Sequence, residues 1–170
     1  MYNQPMAVYM ITLHSYRSWN ADRRHVRRDR QGIQKPNLKL ATHRDQIAKQ
    51  QAVELNLKER RIACEAVIEV CQNTDRKLHA LTVVPNHIHI LCSWTNEQLP
   101  QNAAAHFKRI VGMKLSHAKG TTGHRWFSRG QDIERIADRK HFEYLIQTYL
   151  PRHREQNGIF WQEMKPSEGM

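Results

Sequence analysis

Residues 6 to 14, MAVYMITLH, form a short apolar run rich in β-forming types, which predicts a first strand. A long polar stretch from about 17 to 55 follows, dense in Arg, Lys and Gln and almost without period. It reads as a basic loop insertion with a helical turn near its end. Asn56 and Glu59 have capping-box spacing. Ala63, Ala66, Val67, Val70 and Cys71 then recur at helical intervals, predicting a first long helix. Lys77 to Val84 and the run after Pro85-Asn86 are apolar β segments joined by a turn, hence a hairpin. A helix is expected over about 98 to 119, with Ala103, Phe107, Ile110, Val111 and Leu115 on one face and Lys108, Arg109 and Lys114 on the other. Gly120 to Gly123 end it. Residues 125 to 136 predict a fourth strand kinked at Gly130, and about 138 to 150 a final helix. No element is assigned to the tail, about 159 to 170. The order βαββαβα predicts one α+β domain over 1–170, with a four- or five-stranded antiparallel sheet, helices packed on one face, and a ferredoxin-like plan.

Composition narrows the class. There are 27 Lys and Arg against 16 Asp and Glu, a formal charge of +11. An excess of that size points to a polyanion, and nucleic acid is the usual one. No stretch approaches the roughly 18 apolar residues of a membrane span, and the first six residues are not a signal peptide. Cys64, Cys71 and Cys92 form no CxxC pair and suit a reducing compartment. A cytoplasmic, nucleoid-associated protein is therefore expected. The expected DNA-contacting residues are Arg17, Trp19, Arg23, Arg24, Lys108, Arg109 and Lys114, by phosphate neutralisation and stacking. Trp126 and Phe127 are further stacking candidates.

Candidate chemistry lies in two places. His87-Ile88-His89 falls in a predicted strand, so the two imidazoles share one face, roughly 7 Å apart at about 3.3 Å per residue. Both could converge on one ion, or be ordinary polar residues of a solvated face. In the last helix, 100° per residue puts Phe142, Leu145, Ile146, Tyr149 and Leu150 on one side and Tyr144 opposite. Tyr149 reads as a core aromatic. Tyr144, off the core face, is the candidate nucleophile, since a phenol can attack a phosphodiester when a metal stabilises the charge.

The segment LHALTVVPNHIHILCSW, followed downstream by HFEYLIQTYL, resembles the HUH (His-hydrophobic-His) superfamily. It is most similar to single-tyrosine transposases of the insertion-sequence-200-like and REP-associated kinds. VYMITLHSYRSW resembles the first strand and turn of that group. The resemblance implies a ferredoxin-like or RRM-like core and Mg²⁺ or Mn²⁺ held by His87 and His89. It also implies Tyr144 as nucleophile and cleavage and rejoining of single-stranded or hairpin DNA through a 5′-phosphotyrosine. Relatives include monomers and homodimers that exchange the tyrosine helix. The family places a third metal ligand, Gln or Asn, four residues after its tyrosine. That position here is Thr148, a poor ligand, so Gln147 is the substitute third ligand. This departure keeps a second reading open, a non-catalytic or domesticated protein that binds hairpin or single-stranded nucleic acid without cutting it. A zinc-dependent hydrolase has less support, because no HExxH is present.

Overall fold

A computed structural model describes residues 6–18, 27–29, 32–95 and 97–163. The elements are β1 (Ala7–Ser15), β2 (Arg27–Asp29), β3 (Gly32–Gln34), α1 (Leu38–Ile47), α2 (Leu57–Gln72), β4 (Lys77–Val84), β5 (His87–Trp94), α3 (Pro100–Lys119), β6 (Phe127–Ile136), α4 (Arg139–Tyr144) and β7 (Ile159–Gln162). A π-helical turn, Leu145–Tyr149, continues α4, and a 3₁₀ helix, Pro151–Gln156, follows it. The main sheet has the order β6-β1-β5-β4-β7, and every pairing is antiparallel. The α+β class and the five-stranded sheet are as the sequence predicts, with β5 at its centre.

Local chemistry explains most boundaries. The capping box of α2 is complete: Asn56 Oδ1 accepts from Glu59 N at 2.9 Å, and Glu59 Oε2 accepts from Asn56 N at 3.0 Å. Gly120, at φ +67°, ends α3 in the left-handed conformation that a side chain disfavours. Within the predicted insertion, β2 and β3 form a small hairpin and α1 a ten-residue helix. Asn37 caps α1 by accepting from Leu40 N at 3.0 Å. A caps signal of this kind is short-range, and so weak against a polar, aperiodic background.

The sheet is covered on both faces, where the sequence predicts helices on one. Ile11, Leu13, Leu81, Val83, Ile88 and Ile90 meet Ala63, Val67, Phe107, Val111 and Leu115 of α2 and α3 in the larger core. Each fully buried aliphatic there contributes roughly 1.5–3 kcal/mol. On the opposite face Met10, Ala80 and Leu91 pack against Ile136, Leu145 and Leu150. The C-terminal helical segment thus forms a lid over part of the second face. The tail supplies an edge strand, with β7 pairing to β4 from Ala80↔Gln162 to Val83↔Ile159.

The kink in β6 has an unexpected brace. Lys108 Nζ reaches the carbonyls of Ser128 (2.8 Å), Arg129 (3.1 Å) and Gly130 (2.8 Å) and Gln131 Oε1 (3.0 Å). An ammonium has three N–H donors, and this geometry commits them to a bend where the β1–β6 register shifts between Leu13 and Ser15.

Candidate metal and tyrosine site

The antiparallel register puts Thr12 and Thr82 on either side of His89, and His14 and Val84 on either side of His87. Period-2 alternation sends Ile88 and Ile90 into the α2–α3 core and both histidines to the other face. The 3₁₀ helix arrives over that face and adds a third ring, His153. Centroids lie 4.6 Å apart for His87–His89, 4.8 Å for His89–His153 and 5.6 Å for His87–His153. One nitrogen from each ring lies within 4.8 Å of the others.

The hydrogen bonds orient all three rings alike. His153 Nδ1 lies 3.1 Å from the Tyr149 carbonyl. A carbonyl only accepts, so Nδ1 carries the proton and Nε2 the lone pair. His87 Nδ1 is 2.7 Å from Asn86 Oδ1, and His89 Nδ1 is 2.8 Å from Thr12 Oγ1. His89 Nε2 is fully buried with no hydrogen-bond partner, a costly state for an imidazole nitrogen unless it binds something. Burial, reinforced by His87, His153 and His14, pushes His89 down to about 2. It is a neutral imidazole at any working pH, the form that ligates metal. Three ring nitrogens within 4.8 Å of one another, each ring held through Nδ1 by an outer partner, is the arrangement that suits a divalent ion. The donor set fits such a group.

Tyr149 is the tyrosine beside this cluster. Its ring centroid lies 5.5 Å from His89 and 5.1 Å from His153. Tyr144 is 47% exposed and contacts Tyr149 at 6.4 Å. Tyr149 lies on the apolar side of the helical segment with Leu145 and Leu150, and that side packs on the histidine face of the sheet. A π turn interrupts the segment and brings the two tyrosine rings nearer each other. Leu150 N donates to Leu145 O at 2.9 Å, an i→i+5 bond. Residues five apart then return to nearly one face, whereas an ideal α-helix would separate Tyr144 and Tyr149 by about 140°. Pro151, with no N–H for the Gln147 carbonyl, cannot continue the α ladder. Leu145 and Leu150 are buried in the second core on either side of the turn. Burial pushes the Tyr149 phenol up, with smaller contributions from Tyr144 and Glu134.

The other sequence candidates are spread out. Gln147 is exposed. Arg17, at φ +59°, pairs with Asp45 and donates to Gln50 O at 3.2 Å, bracing the turn after β1. Lys108 holds the β6 bend, and Lys114 pairs with Glu69 at 2.8 Å. Trp126 is buried and Phe127 half-buried. Arg109 is exposed, and among the described residues no carboxylate pairs with it. Trp19, Arg23 and Arg24 lie outside the described residues. Sequence reasoning missed His153. The available signal was its place four residues after Tyr149, the interval that the resemblance attaches to a third ligand.

No protein-family model matches the chain, and no curated protein matches it. Among solved structures, it is similar to a REP-associated tyrosine transposase bound to a REP hairpin. That match has a TM-score of 0.51 and 12% identity and covers 91% of this chain and 73% of the other. A candidate transposase from Deinococcus radiodurans R1 matches with a TM-score of 0.52 and 11% identity, covering 89% and 94%. The chain shares the fold of these two proteins. Among the described residues, no helix is long and apolar enough to cross a membrane.

Proposed function

We propose that the protein is a metal-dependent, transposase-like nuclease that cleaves and rejoins single-stranded or hairpin DNA, with Tyr149 as nucleophile. The observation that carries this is the His87–His89–His153 cluster with the Tyr149 ring against it, all from one chain. The fold shared with a transposase bound to a hairpin supports the substrate class, as does the charge of +11. Because ligands and tyrosine belong to one chain, a monomer suffices and no exchange of the tyrosine helix is needed.

His87, His89 and His153 would hold the ion. Three imidazoles suit Mn²⁺ or another first-row ion better than Mg²⁺, which prefers oxygen. When bound, it supplies a Lewis acid for the scissile phosphate. The Tyr149 phenol oxygen bonds to phosphorus and the bond from phosphorus to the 3′-oxygen breaks. The phenol's proton passes to solvent, and the leaving 3′-oxygen takes a proton to become a hydroxyl. Rejoining reverses this: a 3′-hydroxyl attacks phosphorus and the tyrosine leaves. Asn86, Thr12 and the Tyr149 carbonyl keep the rings oriented throughout.

The test is a covalent adduct on a denaturing gel, using labelled hairpin DNA with a single-stranded flank and Mn²⁺. Tyr149→Phe should abolish the adduct, and Tyr144→Phe should retain it. An adduct that survives Tyr149→Phe and disappears in Tyr144→Phe would refute this assignment.

A further inference from the structure

Some basic groups outside the metal site are committed to partners, among them Arg17, Lys108 and Lys114. Between α3 and β6 lies an open cleft of about 390 Å³. Arg109 and Arg129 stand at its rim, both exposed, and no described carboxylate pairs with either. Its walls include Met113, which is 53% exposed, together with Phe127 and the buried Trp126. The Lys108 brace on the Ser128–Gly130 carbonyls fixes the β6 wall.

Gly112 supplies an independent observation. It sits mid-helix in α3, where glycine is unfavourable relative to alanine. A Cβ there would meet only Trp126 Cδ1, at 3.7 Å, an ordinary contact. Neither a close approach nor a positive φ demands glycine at this position. What its missing side chain leaves is space in the cleft.

Position links the cleft to the proposed chemistry. Phe127 pairs with Ser15, next to His14, and His14 pairs with His87. The β6 wall is thus two strand spacings, about 10 Å, from His87, round the open edge of the sheet. We infer that this cleft is a nucleotide subsite, taking one unpaired base against Met113 and Phe127 and its phosphate on Arg109 and Arg129. The nucleotide belongs to the strand that continues to the histidine cluster, so the inference rests on the DNA-cleaving reading. Two unpaired guanidiniums suit a phosphate, and a flat apolar slot with a thioether and a ring suits a base of any identity.

The test measures binding of a labelled single-stranded oligonucleotide to the full chain in EDTA, so that no cleavage intervenes. Gly112→Leu keeps a good helix former and fills the slot. It should weaken binding about tenfold. Arg109→Gln and Arg129→Gln, both at exposed positions, should each weaken binding and lower the salt slope, by about 0.7 in all for the pair, the value for one phosphate of a single strand. Gly112→Ala should raise Tm by a few degrees. The subsite is overturned if Gly112→Leu folds and binds as tightly as wild type, or if neither arginine variant changes the slope. It is also overturned if a free deoxynucleoside monophosphate binds as tightly as the oligonucleotide, since the site would then serve a small molecule. If wild type binds no single strand, both readings fall. If it binds through the cleft but forms no adduct, only the cleavage reading falls.

Discussion

Gly158 lies outside the cluster, yet it should control the third ligand. An added Cβ would overlap the His153 carbonyl oxygen, stand 3.0 Å from the His153 carbonyl carbon and 2.8 Å from Val84 Cγ1. Carbon–carbon contacts settle at about 3.5–4.0 Å, so Val84 is at least roughly 0.7 Å too close. The Gly158 N–H also donates to His153 O at 2.9 Å, tying the end of the 3₁₀ helix. Val84 belongs to the packed sheet, so the 3₁₀ segment should yield and carry His153 with it. Overpacking of this kind costs about 1–3 kcal/mol. A displacement beyond about 0.5 Å exceeds the tolerance of a preorganised site, and about a tenfold loss of metal affinity is expected, as for disturbed outer-shell groups. The assay is thermal unfolding with and without Mn²⁺. At a concentration 100 times the wild-type Kd, the ion stabilises by about 2.7 kcal/mol. A tenfold weaker site would retain only about 1.4 kcal/mol. Gly130→Ala, where a Cβ meets nothing within 4 Å, should keep the full increment. An undiminished increment in Gly158→Ala would refute the reasoning, because His153 would then not be held by this packing.

Lys108→Met removes an ammonium bonded to three carbonyls and a side-chain amide. It should lower stability by about 1.5–3 kcal/mol, read as a lower urea midpoint at constant m. A variant with unchanged stability but a weaker salt dependence of DNA binding would instead make Lys108 a phosphate contact. Burial raises the Cys64 thiol to about 11 and the Cys71 thiol to about 12, and raises Cys92 further. Thiolate is the reactive form, so iodoacetamide at pH 8 should label these cysteines only after unfolding. Stoichiometric labelling of native protein would contradict their burial.

Local patterns determined much of this protein in advance. Alternation alone put His87 and His89 on one face, because a strand's side-chain period is fixed by its backbone. The capping box at Asn56 and Glu59, the Pro85-Asn86 turn and the stop at Gly120 are interactions among near neighbours, legible without the fold. The resemblance carried by the histidine motif agrees with the fold that emerged. Tertiary structure decided the rest. The helical-face argument put Tyr149 on the apolar side of the last helix and Tyr144 opposite, but only the tertiary packing lays that apolar side on the histidine face of the sheet and so brings Tyr149 to the histidines. His153 joins them only because the 3₁₀ helix docks over β4 and β5 through Gly158, a contact between residues far apart in sequence. The same holds for basic side chains. Charge predicts a polyanion partner, but which cations remain available depends on whether packing hands them a carbonyl, as for Lys108, a carboxylate, as for Arg17 and Lys114, or leaves them at the rim of a cleft, as for Arg109.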